Sequence, residues 1–263
     1  MLVEHRHRYI TRTLQSEASV STIELVRALH VSQETIRRDL IHLERKGLLR
    51  RVYGGAVAPH RQRSSEPPFA QRTAIYAEAK QVVGALAAQL LDGAQTVFVD
   101  VGTTAHAAAK ALAPSFRGTV VSHSLLVAVE IADAGTADLL LAPGRLRRGE
   151  WSLSGTVAHA FIRDVHFDVA LLSCGGVDAA AGPTDFDFDD VQVKRTVARN
   201  SERSYILADS SKHGVVGRHT IGDWYDVNGL VTEQPPPEGL AARIHAAGGT
   251  ILVPGDDQPP APH

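Results

Sequence analysis

Two groups of residues in this chain have types and spacings suited to chemistry. The first is a run of amide, hydroxyl and guanidinium side chains, Gln33, Thr35, Arg37 and Arg38, followed by Arg50 and Arg51. Such groups donate paired hydrogen bonds to base edges or neutralise phosphates. The second group is scattered: Asp100-Val101-Gly102-Thr103-Thr104, Ser122-His123-Ser124, Pro143-Gly144-Arg145, Ser173-Cys174-Gly175-Gly176-Val177-Asp178 and Asp209-Ser210-Ser211-Lys212. Glycine at Gly102 lets an anion approach the backbone, Thr103 and Thr104 supply hydroxyls, and a helix opening there would add amides and partial positive charge. Lys212 and Arg145 could neutralise a phosphate, while Asp100, Asp178 and Asp209 could accept protons from sugar hydroxyls. Lys194, in a helix after Asp185-Phe186-Asp187, could reach the same place. The D-x-G-T-T run alone is equally a helix cap. Five such turns in one chain favour a pocket for a polyhydroxylated phosphate ester.

The elements that must position the first group read clearly. Ser21-Thr22-Ile23-Glu24 has the form of a capping box, opening a helix with Leu25 and Leu29 on one face. That helix stops near His30-Val31, and Ser32 is placed to cap the next one. There Ile36, Leu40 and Leu43 form an apolar stripe, Gln33, Glu34, Thr35, Arg37 and Arg38 stay on the polar side, and Gly47 ends the helix. Upstream, Ile10 and Leu14 would bury a first helix. Three short helices with a tight turn make a helix-turn-helix. Leu48-Leu49-Arg50-Arg51-Val52 and Tyr53-Gly54-Gly55-Ala56 then suit a short β-wing. Gln33, Thr35 and Arg37 are the expected base readers, with Arg38 and the wing arginines on phosphates.

The second group needs a different scaffold. Thr96–Val99, Thr119–Val121, Asp138–Leu141, Val169–Leu172, Tyr205–Leu207, Gly229–Val231 and Thr250–Val253 read as strands buried on both faces, with helical segments at 77–91, 104–113, 124–134 and 238–247. This alternation predicts a mostly parallel, doubly wound α/β sheet whose ligands bind beyond the carboxyl ends of the strands. The expected organisation is a winged helix-turn-helix over 1–58, a linker over 59–68, an effector-sensing α/β domain over 69–253 and a disordered tail over 254–263.

Charge supports the division. Residues 1–63 hold 12 Lys and Arg against 6 Asp and Glu, whereas the rest hold 15 against 23, so a basic head precedes an acidic body. Cys174 is the chain's one cysteine, which rules out an internal disulfide and fits a reducing compartment. A lone buried thiol without a resolving partner does not suit a redox sensor. The 13 histidines show no ligand spacing, so neither metal nor cofactor is expected. No stretch reaches the ~18 apolar residues of a spanning helix, and the chain reads as soluble, with no membrane partner.

The run Val31-Ser32-Gln33-Glu34-Thr35-Ile36-Arg37-Arg38-Asp39-Leu40, with Leu43-Glu44-Arg45-Lys46-Gly47-Leu48-Leu49-Arg50-Arg51 and Tyr53-Gly54-Gly55-Ala56, closely resembles the DeoR family of bacterial repressors. The resemblance implies a winged helix-turn-helix that binds an operator in double-stranded DNA through Ser32, Gln33, Glu34, Thr35, Arg37, Arg38, Arg50, Arg51, Tyr53, Gly54 and Gly55. It also implies a sensor for a phosphorylated sugar, similar in fold to ribose-phosphate isomerases, in a cytoplasmic homodimer or homotetramer. The effector positions it implies are Asp100, Gly102, Thr103, Thr104, Asp209 and Lys212, to which the reading of the strand ends adds Ser122, His123, Ser124, Arg145, Gly175, Gly176, Asp178 and Lys194. His123 stands where the family usually has asparagine, and Pro143 where it has glycine. The dense acids from Asp185 to Asp190 either repel anions or form a solvated loop. An active sugar-phosphate isomerase fused to a DNA reader is the alternative, because Asp100, Asp178, Lys194 and Lys212 are also proton-transfer residue types.

Overall fold

The computed structural model describes residues 3–17, 19–46, 48–52, 54–57, 61–62 and 66–255. Expectations for Gly47, Tyr53, linker residues 59, 60 and 63–65, and tail residues 256–263 lie outside the described residues. The chain divides into two compact units, Met1–Arg61 and Gln62–His263.

The first unit packs three helices, α1 (Val3–Glu17), α2 (Thr22–Leu29) and α3 (Gln33–Arg45), against a small antiparallel sheet. Local sequence sets their ends. The Ser21 hydroxyl accepts from Glu24 N at 3.1 Å, and the Glu24 carboxylate accepts from Ser21 N at 2.9 Å. His30 takes the left-handed conformation that ends α2, and the Ser32 hydroxyl caps α3 by accepting from Thr35 N at 3.2 Å. Ile10, Leu14, Leu25, Leu29, Ile36, Leu40 and Leu43 close one core. In the wing, Arg50–Val52 pairs with Gly55–Val57, and Ser19–Ser21 pairs with the other edge of Gly55–Val57. Gly54 turns at φ +86, whereas Gly55 is required by contact, since a Cβ there would stand 2.1 Å from the Val20 carbonyl oxygen.

The second unit is a seven-stranded sheet, ordered Thr250–Leu252, Gly229–Val231, Ser201–Leu207, Phe167–Ser173, Thr96–Val99, Thr119–Ser122, Asp138–Leu141, with every neighbouring pair parallel. Alternation sends Val97 and Val99 to one face, against α5 (Ala77–Gln89), α6 (Thr103–Leu112) and α7 (Leu125–Ala134). Phe98 points to the other, against α8 (Thr156–Arg163), α9 (Phe188–Arg199) and α10 (Glu238–Ala246). The sheet is therefore doubly wound.

Two strands depart from expectation. Asp138–Leu141 alternates between exposed and half-buried, and only Leu252 of Thr250–Leu252 is buried. Both lie at sheet edges, where one flank lacks a covering neighbour; an apolar run does not reveal that position.

Along the sheet the order runs outward in both directions from Thr96–Val99 and Phe167–Ser173. The connections leaving these two adjacent strands diverge, which opens a crevice beyond their carboxyl ends. Asp100 follows one strand and Ser173 ends the other.

Candidate functional site

On the first unit, the core-facing stripe of α3 leaves Gln33, Glu34, Arg37 and Arg38 exposed and Thr35 half-buried, beside the capping Ser32. The Arg37 and Arg38 guanidiniums lie 3.7 and 3.2 Å from Glu34, one carboxylate between two solvent-facing cations. Arg51 in the wing is tied to α3, with its Nε 2.8 Å from Glu44 and its backbone N–H donating to the same carboxylate. Gly54 is exposed at the wing turn, Gly55 is buried, and Arg50 contributes backbone to the wing strand. A contact that sequence reading missed fixes α3 to α1. Buried Asp39 accepts from Arg6 Nε at 2.7 Å and Nη2 at 3.1 Å, and from His7 Nε2 at 3.0 Å. Burial pushes the Asp39 carboxyl up, but the Arg6 and His7 contacts outweigh it and hold it below the usual carboxylate range.

On the second unit, the crevice between the central strands holds a narrow cleft of about 30 Å³, lined by Gly102, Thr103, Thr104, Ser173, Asp185, Asp190, Lys194 and Lys212 together with Glu66, Arg72, Arg147 and Glu150. Gly102, at φ +100, opens α6 with no side-chain cap, so the amides of its first turn face outward from the helix. The Ser173 hydroxyl and Asp190 Oδ1 are buried side-chain atoms in this lining with no hydrogen-bond partner among the described residues. A second, roomier cleft of about 230 Å³ shares Arg72, Thr103 and Lys212 and adds Lys80, Asp209 and Ser211.

Beneath the first cleft lies a buried charge cluster. The Asp100 carboxylate accepts from Ser173 N at 2.9 Å, from His123 Nε2 at 3.0 Å and from Lys194 Nζ. Lys194 also lies 3.4 Å from Asp185. Burial opposes the charge on both partners, yet Lys194 and His123 hold the Asp100 carboxyl below its usual range, and Asp100, Asp185 and Asp190 raise Lys194. The other His123 nitrogen, Nδ1, lies 3.1 Å from the Leu153 carbonyl. Ser122 donates to the Val99 carbonyl at 2.6 Å and accepts from Ser124 N, and the Ser124 hydroxyl caps α7. These three residues brace the crevice from below.

Other expected residues lie elsewhere. The Arg145 side chain is 83% exposed and approaches Asp189 at 3.8 Å. Arg147, two residues on, reaches the cleft and pairs with Asp190 at 2.5 Å. Asp178 Oδ1 accepts from Ala180 N and Ala181 N and so holds a turn. Gly175 and Gly176 are packed tight, since a Cβ would meet the Phe186 ring at 2.6 Å or the Val215 carbonyl at 2.2 Å. Asp209 caps the 3₁₀ turn Ser210–Lys212 through Ser211 N and lies 4.0 Å from Lys80. Sequence reading missed Glu66, Arg72, Arg147, Glu150 and Asp190 as cleft residues. Their signal was weak, because charged residues in loops are ordinarily solvated. Among the described residues no group of three or more His, Cys, Asp and Glu side chains is placed to hold a metal, and no helix is long and apolar enough to cross a membrane.

A capped reading helix and basic wing, joined in one chain to a parallel sheet with a polar crevice at its switch point, define a two-domain transcription regulator. Comparison with known proteins fixes which kind. The DeoR-like helix-turn-helix domain matches residues 6–62 and the DeoR C terminal sensor domain matches residues 75–234. The glycerol-3-phosphate regulon repressor of Escherichia coli (strain K12) is 32% identical over 232 residues, covering 88% of this chain and 91% of its own. The HTH-type transcriptional regulator GolR of Listeria innocua is 30% identical, covering 94% and 97%. The chain belongs to the DeoR family of DNA-binding transcription regulators. Ribose 5-phosphate isomerase A from Methanocaldococcus jannaschii aligns over 54% of this chain and 55% of its own at 15% identity and a TM-score of 0.39, too distant a likeness to bear on function.

Proposed function

We propose that this regulator is a repressor whose operator affinity is set by a small phosphorylated sugar or polyol bound beyond the carboxyl ends of the central strands. One observation carries the reading. The uncapped start of α6 shares a cleft with two cations, Arg72 and Lys212, and with the unpartnered Ser173 hydroxyl and Asp190 Oδ1. Amides, a guanidinium and an ammonium suit a phosphate, and a hydroxyl beside carboxylates suits a polyol. The name of the Escherichia coli relative points the same way. On the reading helix, Gln33, Thr35 and Arg37 address base edges, and Arg38 and the wing arginines address phosphates. The chain acts in the cytoplasm as a homodimer or homotetramer, which places two readers on repeated half-sites.

Sensing is favoured over turnover. An isomerase needs a carboxylate free to move a proton beside a carbonyl. Here Asp100 is fully buried, and three donors from Ser173, His123 and Lys194 occupy it.

A panel of phosphorylated sugars and glycerol 3-phosphate, screened by thermal shift and by operator titration, tests the proposal. At least one should stabilise the chain and change operator affinity, a coupling of about 1–3 kcal/mol. Lys212→Ala should weaken that ligand about 10- to 100-fold, the worth of one hydrogen bond to a charged group. If no member binds up to millimolar concentration, or if binding leaves operator affinity untouched, the sensor reading fails.

A further inference from the structure

The cations that suit a ligand phosphate are already paired in this structure. Arg72, from α4 (Phe69–Ala74), presents Nη1 to Glu66 at 2.9 Å and Nη2 to Glu150, while its Nε donates to the Pro67 carbonyl at 2.9 Å. Lys212 lies 3.8 Å from the same Glu66 oxygen. Three of these side chains are largely buried, with Glu66, Arg72 and Lys212 exposing 15%, 10% and 11%. A surface pair would be worth little, but a carboxylate withdrawn from water onto two cations is held. Glu66 thus covers the positive groups beside the open start of α6.

We propose that Glu66 is a tethered competitor of the effector: its carboxylate occupies the anion subsite on Arg72 and Lys212 in the ligand-free chain, and an anionic ligand must displace it. This rests on the cleft being the effector site and adds how entry to that site is controlled. The arrangement sets a threshold, because a tethered group competes at an effective concentration that a free ligand must exceed. It also selects by charge. A dianion outbids one carboxylate for the two cations, whereas an unphosphorylated polyol offers nothing to exchange. Glu66 precedes α4 near the start of the second unit, so its release frees the entry of the chain into the sensor.

The charged groups facing Glu66 are Arg72 from α4, Lys80 from α5, Lys212 from the 3₁₀ turn, Arg147 and Glu150 from the strand Arg145–Arg147 and the loop after it, and Asp185 from the strand Gly182–Asp185. Burial is the largest influence and, with Asp185 and Glu150 adding to it, raises the Glu66 carboxyl above its ordinary range against the pull of Arg72 and Lys212. A proton on Glu66 should therefore do what a displacing anion does.

Sulfate tests this on the full chain, because it stays dianionic while Glu66 titrates. In the native protein, sulfate affinity measured by calorimetry should rise as pH falls from about 8 to about 5. Glu66→Gln keeps the shape and removes the charge; it should bind sulfate about tenfold more tightly at pH 8 and lose most of the pH dependence. Glu66→Asp, one methylene shorter, should fall between. If Glu66→Gln binds sulfate equally or more weakly while Lys212→Ala abolishes binding, the anion subsite stands and the competitor is refuted. If the native chain and both Glu66 variants all fail to bind sulfate at every pH, the subsite and the competitor fall together.

Discussion

Asp39→Ala tests a contact that ties α3 to α1 and that the sequence does not show. Asp39 sits on the inner face of α3 with two bonds from the Arg6 guanidinium, at 2.7 and 3.1 Å, and one from His7 at 3.0 Å. Removing the carboxylate takes away two bonds from a guanidinium and one from an imidazole, which costs about 1.5–3 kcal/mol. A unit of this size has a total stability of about 3–9 kcal/mol at the usual ~0.05–0.15 kcal/mol per residue. The substitution therefore removes about a sixth of the reader's stability or more. The amides of α1 and α3 should lose roughly 10- to 100-fold of their hydrogen-exchange protection. Both tryptophans, Trp151 and Trp224, lie in the second unit, so unfolding followed by tryptophan fluorescence should be unchanged while operator affinity drops. Replacing the pair by Arg6→Met with Asp39→Leu should recover part of the loss, since apolar side chains then fill the contact between α1 and α3. The contribution has a definite pH sense. With the Asp39 carboxyl held below its usual range, the pair stabilises fully above the ordinary carboxylate pKa of about 3.9 and is lost only as pH falls through the depressed native value. If Asp39→Ala leaves exchange in α1 and α3 within about threefold of the native protein, the buried pair is not what anchors the reading helix.

Arg37→Ala should relax sequence preference at one base pair, costing about 1–3 kcal/mol there, whereas Arg51→Ala should weaken every duplex alike and reduce the salt slope by about one; binding across variant operators and salt concentrations separates the two. Cys174 is buried, and burial pushes its thiol up to about 12, so a thiol reagent at pH 8 should label it only after unfolding; rapid labelling of the native chain would contradict that burial. Gly84→Ala should lower the melting temperature of the second unit. Alanine gains up to about 1 kcal/mol of helix propensity, but its Cβ would stand 2.6 Å from the Ala107 carbonyl carbon, where α5 and α6 touch backbone to backbone. An unchanged or raised melting temperature would show that the helices can separate at no cost.

What could be read in the sequence follows from how local each cause is. The capping box at Ser21 and the Ser32 cap involve groups three residues apart, so α2 and α3 are legible residue by residue. The stripe of Ile36, Leu40 and Leu43 reached the core as spaced. Strand runs were legible as strands, but order within the sheet was not, so the exposed edge at Asp138–Leu141 read like a core strand. The Gly102-Thr103-Thr104 turn was legible as a helix start and became a cleft only because Ser173 arrives beside it from a strand far along the chain.

The charged residues were legible in type and not in role, and the reason is range. Arg145 and Arg147 share one strand face by alternation, and only their distance along the hairpin decides that Arg147 reaches Asp190 while Arg145 stays in solvent. Asp178 has the same chemistry as Asp100, yet it spends its oxygen on the amides of its own turn. Asp100 finds its cation 94 residues away, and Arg72 finds Glu150 78 residues away. A buried charge must be paired, so each pairing removes one candidate from the surface that meets a ligand. Lys194 is consumed by Asp100 at the floor of the cleft, whereas Arg72 and Lys212 are paired with a carboxylate on the neighbouring segment, which on the proposal above can be displaced. That difference, between a cation locked in the core and a cation held by an exchangeable partner, separates scaffold from sensor in this sheet, and it appears only once the long-range partners are in place.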